Sequence, residues 1–164
     1  MCERCGFVDY QNPKVVVGSI VLQGSKILMC RRAIDPRKGY WTLPAGYLEL
    51  YETTEEGARR EAQEEANAKI EIDRVLAIYS LAHISQIQVL FRARLIDPKV
   101  EPGPESEEVA LFEWDDIPWS EIAFPSVVWT LAAHRRTEAL DVFAPATNPP
   151  EGEISFPIDG PPGL

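Results

Sequence analysis

Long apolar runs are absent from this 164-residue chain. No stretch approaches the ~18 consecutive apolar residues of a membrane span, so no membrane association is expected. Cysteine is scarce, with three in all. That is too few for a disulfide framework, and a reducing cytoplasm is the simplest location. The N-terminus lacks the basic-then-apolar pattern of a secretory signal and opens with Cys2 among charged residues. Positive charge is short as well: 16 Lys and Arg face 26 Asp and Glu, a formal charge of −10. That surplus argues against nonspecific nucleic-acid binding. It also requires an anionic small molecule to enter by a locally positive route. Internal repeats are missing. What is left, at 45% hydrophobic residues, is the composition of one globular domain long enough to bury a core.

The acidic residues are not spread evenly. The stretch from Gly46 to Ala68 reads GYLELYETTEEGARREAQEEANA and sets Glu61, Glu64 and Glu65 within five residues. Thr53 and Glu56 have capping-box spacing, which predicts a helix beginning near Thr54. Glu55 and Glu56 then lie in a first turn that favours anions, and Asn67 suits a left-handed helix end. Positions i, i+3 and i+4 share a helix face, so the three carboxylates crowd together and raise one another's pKa. Hard oxygen donors in such a cluster suit Mg²⁺ or Mn²⁺. Cations held on a rigid helix serve the hydrolysis of a phosphate anhydride. The plainer alternative is a solvated acidic face, the usual fate of a charge run. Ala58, Ala62 and Ala66 form a stripe of small residues for close approach to a sheet, and Gly57 is expected to leave room above the carboxylates.

The wider spacing resembles the box of the Nudix hydrolases, G-x5-E-x7-R-E-U-x-E-E-x-G-U, with Gly46, Glu52, Arg60-Glu61 and Glu64-Glu65 at its positions. The preceding TLPAG looks like the family's loop leading into the box. Asn67 departs from the last Gly, Ala62 and Ala68 replace bulkier aliphatics, and Tyr51 stands where many members carry Gly. The segments CGFVDYQNPKVVVGSIV, ILMCRRAIDPRKGYWTLPAGYLEL and PGPESEEVALFEWDDIPWSEIAF resemble a subgroup with an N-terminal zinc ribbon, whose members act on FAD, ADP-ribose or NADH. The resemblance implies an α/β fold, an α/β/α sandwich around a mixed sheet. It implies metal-dependent hydrolysis of a nucleoside diphosphate linked to another moiety, FAD or ADP-ribose first, releasing AMP. NADH, damaged nucleotides, or a noncatalytic nucleotide sensor are the alternatives. NADH-specific relatives carry SQPWPFPxS after the box, which the YSLAHISQIQVLF found here lacks. Relatives acting on dinucleotides often pair, so a homodimer is expected by analogy.

By the same resemblance Glu61 and Glu65 are metal ligands, Glu64 is a third, and a backbone carbonyl near Ala45 completes the set. Glu52 and Arg60 pair and hold the loop against the helix, with Gly46 as the box's structural glycine. The catalytic base comes from the box or from a later loop, where Glu105 and Glu108 are candidates and a solvated loop is equally open. Arg31 and Arg32 end a strand beside the loop feeding the site. Alternation allows only one to grip a diphosphate, and Arg32 is favoured. Tyr10, Tyr40, Trp41 and Tyr79 are candidates to stack on a base, although aromatics more often fill cores. Cys2 and Cys5 form a CxxCG knuckle, but a zinc ribbon needs a second pair, and Cys30 falls inside a strand. Either the other knuckle preceded Met1 or this pair is a relic, and no stable zinc within one chain is expected. His83 and His134 show no ligand spacing and read as packing or surface residues.

Strands are predicted at residues 14–22, 26–31, 70–79, 87–95 and 109–114, and a second helix at 126–137. Residues 1–9 form the residual knuckle and 10–140 the Nudix domain. Residues 141–164, rich in Pro and Gly and without periodicity, are expected to be a disordered tail.

Overall fold

A computed structural model describes residues 1–163 of the chain. The element order is β1 (Lys14–Gln23), β2 (Lys26–Arg32), β3 (Trp41–Thr42), β4 (Ala45–Tyr47), α1 (Thr54–Ala66), β5 (Ile70–Leu81), β6 (Gln86–Leu95), β7 (Ser106–Phe112) and α2 (Pro125–Thr137). The Val- and Ile-rich β1 lies at the centre, as a strand buried on both faces should. It runs parallel to β6 from Lys14↔Gln86 to Leu22↔Arg94 and closes a short hairpin with β2 at Leu22↔Ile27. Past the hairpin β1 and β2 part. β1 then pairs with β4, and β2 with β3 and β7. With β5 beside β6 the main path of the mixed sheet is β3-β2-β1-β6-β5.

Alternation along the strands feeds two cores, which makes the molecule an α/β/α sandwich. Ile20, Met29 and Leu76 pack with Val127, Val128 and Leu131 of α2. Val21, Leu28 and Cys30 point the other way, onto Ala62 and Ala66 of α1. The alanine stripe is fully buried, so the backbone of α1 sits close to the sheet. Among the described residues no helix is long and apolar enough to cross a membrane.

Three expectations change. Strand β7 starts at Ser106 rather than 109 and ends before Trp114, which enters a short 3₁₀ turn. Backbone pairing of Glu108 with Arg31 and of Ser106 with Arg32 holds the polar start of the strand regardless of side-chain polarity. Gly57 makes room for Val17, Leu48 and Glu52 rather than for the carboxylates of the helix face. The tail expected to be disordered docks on the domain, with Leu164 outside the described residues. Ala146 donates to Leu76 O and accepts from the Ile78 amide, and the Asn148 side chain bonds both the N–H and the C=O of Ser80. The segment thereby covers part of the open edge of β5, a surface that folds must protect. Phe143, Ile154 and Phe156 pack on the α2-side core, and Ile158 is buried in it. Ile154, Phe156 and Ile158 do alternate with exposed residues, but over only five positions broken by Pro157 in a Pro- and Gly-rich stretch, which is why no docked segment is expected from sequence.

Deleting residues from Ala144 onward is expected to lower the melting temperature by at least ~6 °C, from loss of on the order of 3 kcal/mol of apolar burial and edge pairing. Thermal denaturation followed by circular dichroism reads this, and an unchanged midpoint would show that the strap contributes nothing.

Candidate active site

The acidic helix begins as its spacing predicts. The Thr53 hydroxyl accepts from the Glu56 amide, and the Glu56 carboxylate accepts from the Thr53 amide. At the far end Asn67 takes a left-handed conformation, φ 49°. The strand before the helix comes up against it at Gly46. A Cβ there would lie 2.4 Å from the Glu61 carboxyl carbon, so only glycine lets that carboxylate rest on the backbone. Tyr51, with φ 69°, occupies a conformation glycine adopts freely, consistent with the family's usual residue there.

Arg60 binds the acidic groups together. Its Nε and Nη2 reach Glu52 at 3.1 and 2.8 Å, its Nη1 reaches Glu61 at 2.7 Å and Glu64 at 3.0 Å, and Nη2 also donates to the Tyr47 carbonyl at 2.9 Å. The expected Glu52–Arg60 pair is thus present, and the same guanidinium also offsets repulsion between Glu61 and Glu64. Contact with Arg60 holds the Glu52 carboxyl below its usual range.

Glu61 and Glu65 are each only 8% exposed. Burial raises the Glu61 pKa, which Arg60 partly offsets and the charges of Glu64 and Glu105 reinforce. Burial likewise pushes Glu65 up to about 8. A hydrogen bond from the Ala45 amide, 3.1 Å from Glu65 Oε2, opposes that rise. Negative charge on Glu61 and Glu105 adds to it, and the nearby Arg32 guanidinium opposes it. Glu105 and Arg32 are therefore near enough for their charges to act on Glu65, while Arg32 Nε donates to the Pro36 carbonyl and its guanidinium lies over the Phe124 ring. Glu108 points elsewhere and pairs with Arg31 at 3.7 Å. A bulge between Arg31 and Arg32 breaks the strand register at this point. Ala45 meets Glu65 through its N–H.

The aromatic candidates fare differently. Tyr79 is 1% exposed and packs edge-on against Trp129, and Trp41 is buried edge-on against Phe112. Both rings are core, as their flanking apolar strand residues allow, and neither is open to a base. Tyr40 has one face covered by the Arg37 guanidinium, 3.8 Å from the ring centroid. Tyr10 is exposed. Cys2 and Cys5 are exposed on a turn closed by the Gly6 amide on the Cys2 carbonyl, and Cys30 is buried. His134 is buried and His83 exposed. Sequence reasoning missed Arg37 and Gly103. The Pro-Gly-Pro run around Gly103 was the one available sign of a close backbone approach.

Among the described residues no three His, Cys, Asp or Glu side chains converge into a ready-made metal cage. Arg60 stands between Glu61 and Glu64 instead. The donor set nonetheless suits a hard divalent cation. Two buried carboxylates with raised pKa share a helix face, and added positive charge would relieve both.

A family model of the NUDIX domain matches residues 12–130. The chain is 30% identical over 115 residues to an ADP-ribose pyrophosphatase of Methanocaldococcus jannaschii, covering 66% of this chain and 67% of that protein. It is 31% identical over 102 residues to a MutT-like protein of Streptomyces ambofaciens, covering 62% and 64%. A NUDIX hydrolase from Nitrosomonas europaea superposes with a TM-score of 0.84 at 47% identity, over 90% of this chain and 85% of that one. The chain belongs to the Nudix hydrolase family.

Glu65 generates a pH prediction for the metal-free protein. Folded, it holds its proton up to about 8 instead of the ordinary 4.5. Between those values the folded state binds more protons than the unfolded one, so stability falls as pH rises. The loss from this group is complete above about 8 and on the order of 3–5 kcal/mol. Urea titrations at pH 5 and pH 8.5, in chelator, should show the fall. Glu65→Gln should flatten most of it, and an equally steep fall in that variant would assign the effect to other groups.

Proposed function

We propose that this protein is a metal-dependent pyrophosphohydrolase acting on a nucleoside diphosphate linked to a second moiety, with ADP-ribose as first candidate. The observation that carries the reading is the pair Glu61 and Glu65, buried on one helix face against Gly46 and the Ala45 amide, with the charges of Arg32 and Glu105 near enough to act on Glu65. The ADP-ribose pyrophosphatase of M. jannaschii is the relative that points to the moiety. The same chemistry on FAD would give FMN and AMP.

In this mechanism Glu61 and Glu65, with Glu64 at the rim, would hold Mg²⁺ or Mn²⁺. The cation, when bound, supplies neutralisation of phosphoryl charge and a lowered pKa for water. Arg32 offers a planar fork to the diphosphate, from a position where its charge already reaches Glu65. Glu105 accepts the proton of the attacking water. The water's oxygen bonds to one phosphorus as the bridging P–O bond breaks, so ADP-ribose yields AMP and ribose 5-phosphate. Arg60 and Glu52 hold the loop and helix in register and stay outside the reaction. Pairing into a homodimer is part of this reading by analogy.

The test is a panel of ADP-ribose, FAD and NADH with Mg²⁺ or Mn²⁺, its products read by mass spectrometry. Turnover of ADP-ribose or FAD to AMP is expected, and intact substrates with demonstrable binding would favour a noncatalytic sensor. Glu65→Gln is nearly isosteric and should keep the fold while lowering kcat by several orders of magnitude. Wild-type turnover in that variant at saturating Mg²⁺ would remove Glu65 from the ligand set.

A further inference from the structure

The loop of residues 97–105 is docked end-on against α1. The amides of Glu101 and Gly103 donate to the carbonyl oxygens of Ala66 and Glu65 at 2.9 and 3.0 Å. A helix leaves its last carbonyls without internal partners, so the loop caps the helix that bears the acidic cluster. Gly103 comes so near that a Cβ on it would lie 1.6 Å from the Glu64 carbonyl oxygen. No side chain fits there unless the loop moves. Asn67, standing where the family's box has glycine, adds a further tie: its Nδ2 donates to the Glu101 carbonyl at 3.1 Å. Glycine could supply the left-handed backbone of that position but not the amide. On its other side the loop is tied to the end of β2, where the Ala33 amide donates to the Glu105 carbonyl at 2.8 Å. Glu105 thus lies between two anchors, two residues beyond Gly103 and level with the residue following Arg32.

We propose that Asn67 and Gly103 are positioning residues, which lock the loop bearing Glu105 onto the C-terminal turn of α1 and so fix the Glu105 carboxylate relative to Glu61 and Glu65. The inference rests on the reading that Glu105 works at that site. Its logic is geometric. A proton acceptor and a ligand set on separate elements must keep their spacing to a fraction of an ångström, and a shift of about 1 Å can cost 10²-fold in rate. Direct docking of one element on the other removes that freedom. Asn67 then compensates for its departure from the box by joining the helix to the loop.

The experiment is a double-mutant cycle. Asn67→Gly keeps the left-handed turn and deletes the side-chain tie together with an exposed bond from Gln63 Nε2 to Asn67 Oδ1, which Gln63→Ala removes alone as a control, while Gly103→Ala displaces the loop. Each is made in the wild-type and in the Glu105→Gln background, with full kinetics on the substrate the panel identifies. Asn67→Gly is expected to lower kcat ~3- to 10-fold and Gly103→Ala ~100-fold, with KM within about twofold. In the Glu105→Gln background both changes should have little further effect, because the group they position is gone. Amide hydrogen exchange gives a reading independent of turnover: protection at Glu101 and Gly103 should fall in both variants while that at Ala62, inside α1, persists. Equal kcat losses in the two backgrounds would reduce the effect to general destabilisation and overturn the proposal. So would lost protection with unchanged kcat. Wild-type turnover in Glu105→Gln alone would remove both Glu105 and the proposal. If the wild-type protein turns over nothing in the panel, the proposed function fails, and unchanged protection in both variants would then sink the lock as well. Should Gly103→Ala fail to fold, Asn67→Gly carries the cycle by itself.

Discussion

The structure depends on one guanidinium. Arg60 sits among Glu52, Glu61 and Glu64 and also binds the Tyr47 carbonyl. Without a central cation, carboxylates from one helix face and one loop could not share so small a volume. An arginine suits the place better than a lysine, since its fixed fork reaches several acceptors at once and it stays charged at any accessible pH. The bidentate hold on Glu52 ties the loop of residues 47–52 down onto α1, and that loop continues the strand whose Gly46 backs Glu61. Arg60 therefore couples the orientation of the acidic groups to the path of the chain leading into the helix. Breaking it by truncation would leave partly buried carboxylates unmatched, the costly direction for such networks.

Burial and charge pull against each other on the same helix face. The alanines that let α1 sink onto the sheet also draw Glu61 and Glu65 out of water, which is why burial leads the causes of both raised pKa values. A well-packed helix and comfortable carboxylates cannot both be had here without added positive charge. Strain of that kind concentrates at functional sites, and it is the physical reason to read the acidic face as a binding site rather than as a solvated surface.

Much of this was legible in the sequence, for identifiable reasons. The helix from Thr54 to Ala66 was readable because its signals are local: a capping box, a small-residue stripe and a residue tolerant of left-handed backbone. Pairing of Glu52 with Arg60 was implied by the resemblance to the Nudix box. Burial of Tyr79 and Trp41 was less readable, because a lone aromatic in a strand looks the same whether it faces a core or a groove. The docked tail was hard to see, since the every-second-residue spacing of Ile154, Phe156 and Ile158 spans only five residues, is interrupted by Pro157, and lies in a Pro- and Gly-rich stretch. The choice of Glu105 over Glu108 could not be made from sequence either. It rests on where β7 pairs with β2, which sends Glu108 to Arg31 and leaves Glu105, in the loop before the strand, near enough for its charge to act on Glu65.

The net charge of −10 raises the question of how an anion would approach so acidic a centre. Four cations, Arg31, Arg32, Arg37 and Lys38, fall within eight residues, at the end of β2 and in the loop that leads to β3. Three of them are tied to backbone carbonyls in or beside that loop. Arg31 Nε donates to the Gly39 carbonyl, Arg32 Nε to the Pro36 carbonyl, and Arg37 Nε to the Ala123 carbonyl. Their charge is therefore held in place rather than spread over mobile side chains. In salt near physiological strength only charges within ~8 Å act strongly on one another, so a distant negative surface matters little to an anion near Glu65, where the charge of Arg32 is felt, whereas Arg31 and Lys38 are paired with Glu108 and Glu107. An acidic total is therefore compatible with an anionic substrate, since what an anion feels near Glu65 is set by the few charges close to it, Arg32 among them.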